Sequence, residues 1–161
     1  MSSNGSLSIA HLLTPETVRV KMPGGTKDDV LNAVIDLLEG ADGVIDLAQV
    51  RHDVFARERQ MSTGVGMGLA LPHARTAAVA DTVAAFATTA DGVAFAAHDG
   101  QPVSMIFLLV GPEGERGRHI RLLGRISRLM NRDEFRQRLL AAATSAEALT
   151  LFRDADAELA A

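Results

Sequence analysis

The chain has 161 residues, with 16 Lys and Arg against 20 Asp and Glu for a formal net charge of −4, and is 47% hydrophobic and 22% charged. That is enough chain for one hydrophobic core, and no apolar run reaches the roughly 20 residues that cross a bilayer, so neither several domains nor direct membrane insertion is expected. The negative charge argues against general nucleic-acid binding, the aromatics are all phenylalanine and provide no base-stacking platform, and the absence of cysteine excludes disulfides and thiolate metal sites.

Residues 1–8, "MSSNGSLS", have neither the basic start nor the apolar stretch of an export signal. Residues 1–10 are expected to be a flexible tail before a single domain over residues 11–161, in a cytoplasmic protein. Alternation of Val18, Val20 and Met22 predicts a strand, ended by the turn residues Pro23, Gly24 and Gly25. Thr26 and Asp29 have the spacing of a helix-capping pair, and Val30, Val34, Leu37 and Leu38 carry the helix toward Gly40. A second helix starts at Asp46, with Leu47, Val50 and Val54 on one face and Arg57 continuing that line. Residues 67–71, "MGLAL", read as a short buried strand that delivers Pro72 and His73 at its end.

Residues 82–89 and 92–97 suggest two further strands, 98–102 a turn, and 103–111, "VSMIFLLVG", a central strand. A loop over 112–118 leads into a helix whose apolar arc holds Leu122, Leu123, Ile126, Leu129 and Met130, with His119 inside that arc in the first turn. Asp133 begins another helix, and Thr144 to Glu147 form a capping box for the last. Interleaved helices and strands give an α/β fold: a single domain with a mixed central β-sheet flanked by helices.

The chemistry concentrates at residues 64–75, "GVGMGLALPHAR". A lone histidine is most often a surface or satisfied core residue. Here Gly64, Gly66 and Gly68 permit close approach of another body, while Pro72 stiffens the backbone just before His73, so the histidine reads as a presented group. A dinucleotide or phosphate-loop motif fails, because no helix opens after the glycines and no Gly-Lys-Ser/Thr follows. A metal site built on His73 and His119 lacks a carboxylate at ligand spacing, so no metal and no cofactor is expected. A neutral imidazole can instead accept a phosphoryl group and hand it on. Arg57, His119 and the hydroxyls of Ser62, Thr63 and Ser104 are the groups available to hold the phosphoryl oxygens. Taken singly, Arg57 reads equally as a snorkelling side chain and His119 as a packed helix-start residue.

Residues 57–75 ("RERQMSTGVGMGLALPHAR"), 98–112 ("HDGQPVSMIFLLVGP") and 118–130 ("RHIRLLGRISRLM") resemble the fructose/mannitol/nitrogen-type IIA domain of the bacterial sugar phosphotransferase system, from about Leu12 onward. The resemblance implies that His73 is the phosphorylated residue and that Arg57 and His119 support it. It further implies a phosphocarrier protein as donor and a IIB domain as acceptor. In this family the histidine is often followed by glycine, and a polar residue often lies between the last two glycines; this chain has Ala74 and Met67 there. Two roles fit: phosphoryl transfer to a IIB sugar-transport component, or a nitrogen-type regulatory module whose phosphorylation state controls binding to target proteins. The absence of an attached transport domain is expected to favour the second. Sugar identity, donor, acceptor, oligomeric state and the reacting ring nitrogen are not encoded in any motif.

Arg118, Arg121, Arg125, Arg128 and Arg132 recur at three- and four-residue steps and form a stripe on the helix after residue 115. It reads as a solvated face partly paired with Glu113, Glu115, Asp133 and Glu134, or alternatively as a dock for an acidic protein.

Overall fold

A computed structural model describes residues 7–160. Val18–Met22 (β1) is followed by Lys27–Asp36 (α1) and Leu47–Gln60 (α2), then by three short strands, Gly64–Gly66 (β2), Leu69–Ala70 (β3) and His73–Thr76 (β4). Val83–Val93 (β5) and Val103–Pro112 (β6) are the long strands, and Arg116–Met130 (α3), Asp133–Ala141 (α4) and Ser145–Ala160 (α5) complete the chain. The sheet is mixed, in the order β1-β5-β6-β3-β2, with β4 also on β6. β5 and β6 are antiparallel, β1 runs parallel to β5, and β3 and β4 run parallel to β6. The α/β expectation of a mixed sheet flanked by helices holds, and β6 is the central strand that residues 103–111 suggested.

Local chemistry explains the elements. Thr26 and Asp29 form a reciprocal capping box at α1, and the Asp46 carboxylate caps α2 by accepting from the Gln49 N–H. At α5 the Thr144 hydroxyl accepts from the Glu147 N–H, while the Glu147 carboxylate reaches back to the Ala143 N–H. One sheet face packs Leu69, Phe86, Phe107 and Leu109 against α3, α4 and α5, with Phe152 edge-on to Phe86 and Phe107 at 5.0 and 5.7 Å. The other face packs Ala70, Ala85, Ile106 and Leu108 against Val30, Val34, Val50 and Val54 of α1 and α2. The sheet is therefore covered on both sides.

The structure corrects four readings. Residues 82–89 and 92–97 do not form two strands. β5 runs unbroken to Val93 across a register shift after Thr88, and residues 94–97 leave the ladder to lie beside β2, where the His98 N–H donates to the Gly64 carbonyl. Residues 67–71 are not one strand either. Only Leu69 and Ala70 pair, and His73 opens β4 rather than closing the strand before it.

The glycines, third, are consumed inside the fold. A Cβ on Gly64 would lie 2.8 Å from Ala97 Cα, and Gly66 and Gly68 take φ of +100° and +77°, so the close approach they allow is to the chain itself. Residues 1–6 of the expected tail lie outside the described residues. Its last residues are docked: the Asp156 carboxylate accepts from the Ser8 hydroxyl and the Ile9 and Ala10 N–H groups at 2.8, 3.1 and 2.7 Å, and Ile9 is fully buried.

Candidate functional site

β4 lies at the open side of β6, and a cleft of about 630 Å³ opens there between α2 and the first turns of α3. Asp53, Ala56, Arg57 and Gln60 line it from α2, His73 and Arg75 from β4, and Arg116, His119, Ile120 and Leu123 from α3. Residues distant in sequence but expected to act together, Arg57, His73 and His119, thus share one cavity. Its charged lining is three arginines, Arg57, Arg75 and Arg116, against the carboxylates of Asp53 and Glu113. The positive end of α3 adds to that excess, so the cleft suits an anion.

His73 is half-buried. Its Nδ1 lies 2.8 Å from the Leu71 carbonyl oxygen. A carbonyl only accepts, so Nδ1 carries the proton and donates it, leaving the basic lone pair on Nε2. Burial pushes the His73 pKa down and the Leu71 bond pulls it up. The Arg57 charge opposes protonation and the Glu58 charge favours it, with a net lowering from the usual 6.5.

The His119 ring lies 5.9 Å from that of His73, tilted by 49°, and the residue is 5% exposed. Its Nδ1 is buried without a hydrogen-bond partner and faces Gly111, where a Cβ would come within 3.0 Å of it. Only glycine at 111 admits the ring at this depth. Burial first, then the neighbouring His73 and Arg75, lower its pKa to about 4. Both imidazoles are therefore neutral near pH 7, one with a free lone pair and the other able to donate through Nε2–H. Such a pair can hand electrons to an electrophilic phosphorus and hydrogen-bond the oxygens around it.

Three expected helpers lie elsewhere. The Ser62 hydroxyl donates to the Phe95 carbonyl at 2.7 Å, and that of Thr63 to Glu58 at 2.6 Å. Ser104 is the second residue of β6, and its N–H donates to the Gly68 carbonyl, whereas the cleft flanks the far end of that strand. None of the three lines the cleft; the Ser62 and Thr63 hydroxyls are committed to Phe95 and Glu58, and Ser104 lies at the other end of β6. The arginine stripe is answered in part as expected, by the Arg118–Glu115 pair at 3.8 Å, and otherwise by Thr82, which accepts from Arg118, and by Asp156 and Glu158 of α5, which pair with Arg125 and Arg132. Asp133 and Glu134 pair instead with Arg136 and Arg138.

Arg75, Arg116 and the buried Glu58 escaped the sequence reading. For Glu58 a signal existed. It is the next four-residue step after Val50 and Val54, a carboxylate on a buried arc. Among the described residues no group of three or more His, Asp or Glu side chains is arranged to hold a metal ion.

Residues 11–155 match the family model for the phosphoenolpyruvate-dependent sugar phosphotransferase system, EIIA 2. The chain is 35% identical to the fructose-specific EIIABC component of Bacillus subtilis over 84% of its length, spanning 21% of that longer protein. It is also 35% identical to the nitrogen regulatory protein of Pseudomonas aeruginosa, over 89% of this chain and 92% of that one. The crystal structure of the nitrogen regulatory protein IIA-Ntr from Neisseria meningitidis superposes with a TM-score of 0.82 at 32% identity, covering 89% of this chain and 98% of that one. No helix of the described residues is long and apolar enough to cross a membrane. A match of this length, on a fold that brings His73 of β4 and His119 of α3 into one cleft, makes the chain a member of the EIIA type 2 family of the phosphoenolpyruvate-dependent sugar phosphotransferase system.

Proposed function

We propose that the protein is a cytoplasmic phosphoryl carrier in which Nε2 of His73 takes a phosphoryl group from the phosphohistidine of a phosphocarrier protein and passes it to a IIB component. The carrying observation is the 2.8 Å contact from His73 Nδ1 to the Leu71 carbonyl, which leaves Nε2 as the nucleophile in a cleft shared with Arg57 and His119. Nε2 attacks phosphorus as the donor's P–N bond breaks, and the donor imidazole departs with the bonding pair. The His73 ring keeps its Nδ1 proton and becomes cationic. A cationic imidazole is a good leaving group, so the group is held in a form ready for onward transfer. Arg57 and the Nε2–H of His119 bind the phosphoryl oxygens, and the depressed pKa values keep both rings uncharged before transfer.

Incubation with a phosphorylated phosphocarrier protein should yield an acid-labile, alkali-stable phosphoryl group on the wild type and none on His73→Ala. Labelling that survives His73→Ala defeats the assignment. A second role, a regulatory module whose charge state at His73 controls partner binding, is favoured by the identity shared with the P. aeruginosa nitrogen regulatory protein across most of both chains. Transfer to a IIB domain supports transport, whereas partner capture that depends on phosphorylation, without such transfer, supports regulation.

A further inference from the structure

Glu58 is the one buried carboxylate near the cleft that the proposed transfer does not use. It is 6% exposed, pairs with Lys27 Nζ at 2.8 Å, and accepts two hydrogen bonds from one residue: the Thr63 N–H at 2.8 Å and the Thr63 hydroxyl at 2.6 Å. Thr63 is thereby fixed at both its backbone nitrogen and its side chain. Its carbonyl accepts from the Leu71 N–H at 2.9 Å, and the carbonyl of Leu71 accepts from His73 Nδ1 at 2.8 Å. A continuous chain of contacts runs from the Lys27–Glu58 pair through Thr63 and Leu71 to the imidazole.

We propose that Glu58 is a positioning residue for His73: by clamping Thr63 it sets the Leu71 peptide, whose carbonyl selects the Nδ1–H form of the ring and aims Nε2 into the cleft. The chain is mechanically sound because, among the described residues, the Leu71 N–H is held by the Thr63 carbonyl at that edge. Pro72 follows it without an N–H, and the next ladder bond is made by the Pro72 carbonyl to the Leu109 N–H. If Thr63 shifts, the backbone at Leu71 moves with its N–H, and the Leu71 carbonyl in the next peptide unit leaves the line of the Nδ1–H bond. The ring then samples the other tautomer, in which Nε2 bears the proton and no longer has a lone pair to offer. A burial cost for Glu58 is tolerable only with full hydrogen bonding, which two Thr63 donors and Lys27 supply. Placing that carboxylate on Thr63, rather than on solvent, is what a clamp requires.

The role rests on His73 being the phosphoryl acceptor, so the test carries a readout that needs no donor. Ring ¹⁵N shifts of His73, recorded above its titration, report the tautomer directly. Wild type is expected to show protonated Nδ1 and basic Nε2. Glu58→Ala should give averaged shifts and slow phosphoryl acceptance per folded molecule by about tenfold, the scale on which partners of functional histidines act. Glu58→Gln keeps an acceptor for the Thr63 N–H and a donor for its hydroxyl, so it should restore the wild-type tautomer. Should Glu58→Ala not fold, Thr63→Val removes only the hydroxyl arm of the clamp and should move the same shifts in the same direction. Unchanged His73 shifts in a folded Glu58→Ala, or in Thr63→Val, overturn the proposal and leave Glu58 a counter-ion for Lys27. A wild type that accepts no phosphoryl group would end the carrier reading, while the tautomer comparison would still decide for or against the clamp.

Discussion

His119 should make this fold acid-sensitive. The ring is 5% exposed, its Nδ1 has no partner, and burial, His73 and Arg75 together bring its pKa from 6.5 to about 4. The unfolded chain therefore takes up a proton at this position as pH falls below about 6.5, while the native state refuses it until about 4. Stability linked to His119 is complete above the unfolded value and is lost progressively as pH falls through that window. Linkage puts the loss at roughly 2 kcal/mol by pH ~5 and about 3 kcal/mol by pH ~4. Set against the 5–15 kcal/mol or so of a typical domain, that is a large share. Urea titrations of wild type and His119→Gln, run from pH ~7.5 to ~4.5, isolate the effect, because other titrating groups are common to both chains. The wild type should lose about 2–3 kcal/mol more than the variant over that range. Parallel pH profiles would refute the claim that the native protein holds this ring neutral.

Three further outcomes follow from named contacts. Gly64→Ala drives a methyl to 2.8 Å from Ala97 Cα and 2.9 Å from its Cβ, neither of which can swing aside. It should cost about 1–3 kcal/mol in thermal denaturation, and an unchanged melting temperature would contradict the close approach. Asp156→Ala removes the acceptor of the Ile9 and Ala10 N–H groups, so amide exchange at both should accelerate; protection equal to wild type would show that the carboxylate does not hold the segment. Arg125→Glu sets a second carboxylate against the buried Asp156 and should cost about 3–5 kcal/mol, whereas Arg121→Glu, on the exposed side of α3, should stay within about 0.5 kcal/mol. Equal urea midpoints for the two would dismiss the distinction.

Periodicity made the helices readable because each buries one stripe: Val30 and Val34, Val50 and Val54, and Leu122 with Ile126 are all buried. The capping residues Thr26, Asp46 and Thr144 were legible for the same reason, since their chemistry is local. The short strands were not. β2, β3 and β4 are two to four residues long, and nothing in a two-residue strand distinguishes it from a loop. The alanines of residues 84–97 hid the continuity of β5, whose pairing depends on β6 rather than on its own composition. At the site, Arg57 and His119 each continue an apolar helical line, and the structure places both on the cleft that His73 lines. Ser62, Thr63 and Ser104 were misplaced because a hydroxyl in a motif carries no sign of whether it serves a ligand or the backbone; here Thr63 donates to Glu58 and Ser62 to Phe95.

The glycine run raised the question of what makes His73 accessible, and the answer lies in the sheet. Leu69 pairs with Met105 and His73 with Leu109, a constant offset, so residues 69–76 behave as one strand along β6 interrupted at Pro72. Successive residues of a strand direct their backbone polar groups to opposite edges. The Pro72 carbonyl faces β6 and accepts from Leu109, so the Leu71 carbonyl faces the other way. On that edge β2 pairs with residues 69 and 70, and Thr63 just before it accepts the Leu71 N–H but donates its own N–H to Glu58. The Leu71 carbonyl, which the Thr63 N–H would otherwise have taken, is left over, and a leftover backbone acceptor must find a donor. The nearest is Nδ1–H of the imidazole two residues on. A Thr63 N–H released from Glu58 would be free to satisfy that carbonyl by backbone and release the ring. The commitment of the Thr63 N–H to Glu58, rather than the flexibility of the glycines after it, is thus what leaves the Leu71 carbonyl to His73 Nδ1 and turns Nε2 toward the cleft.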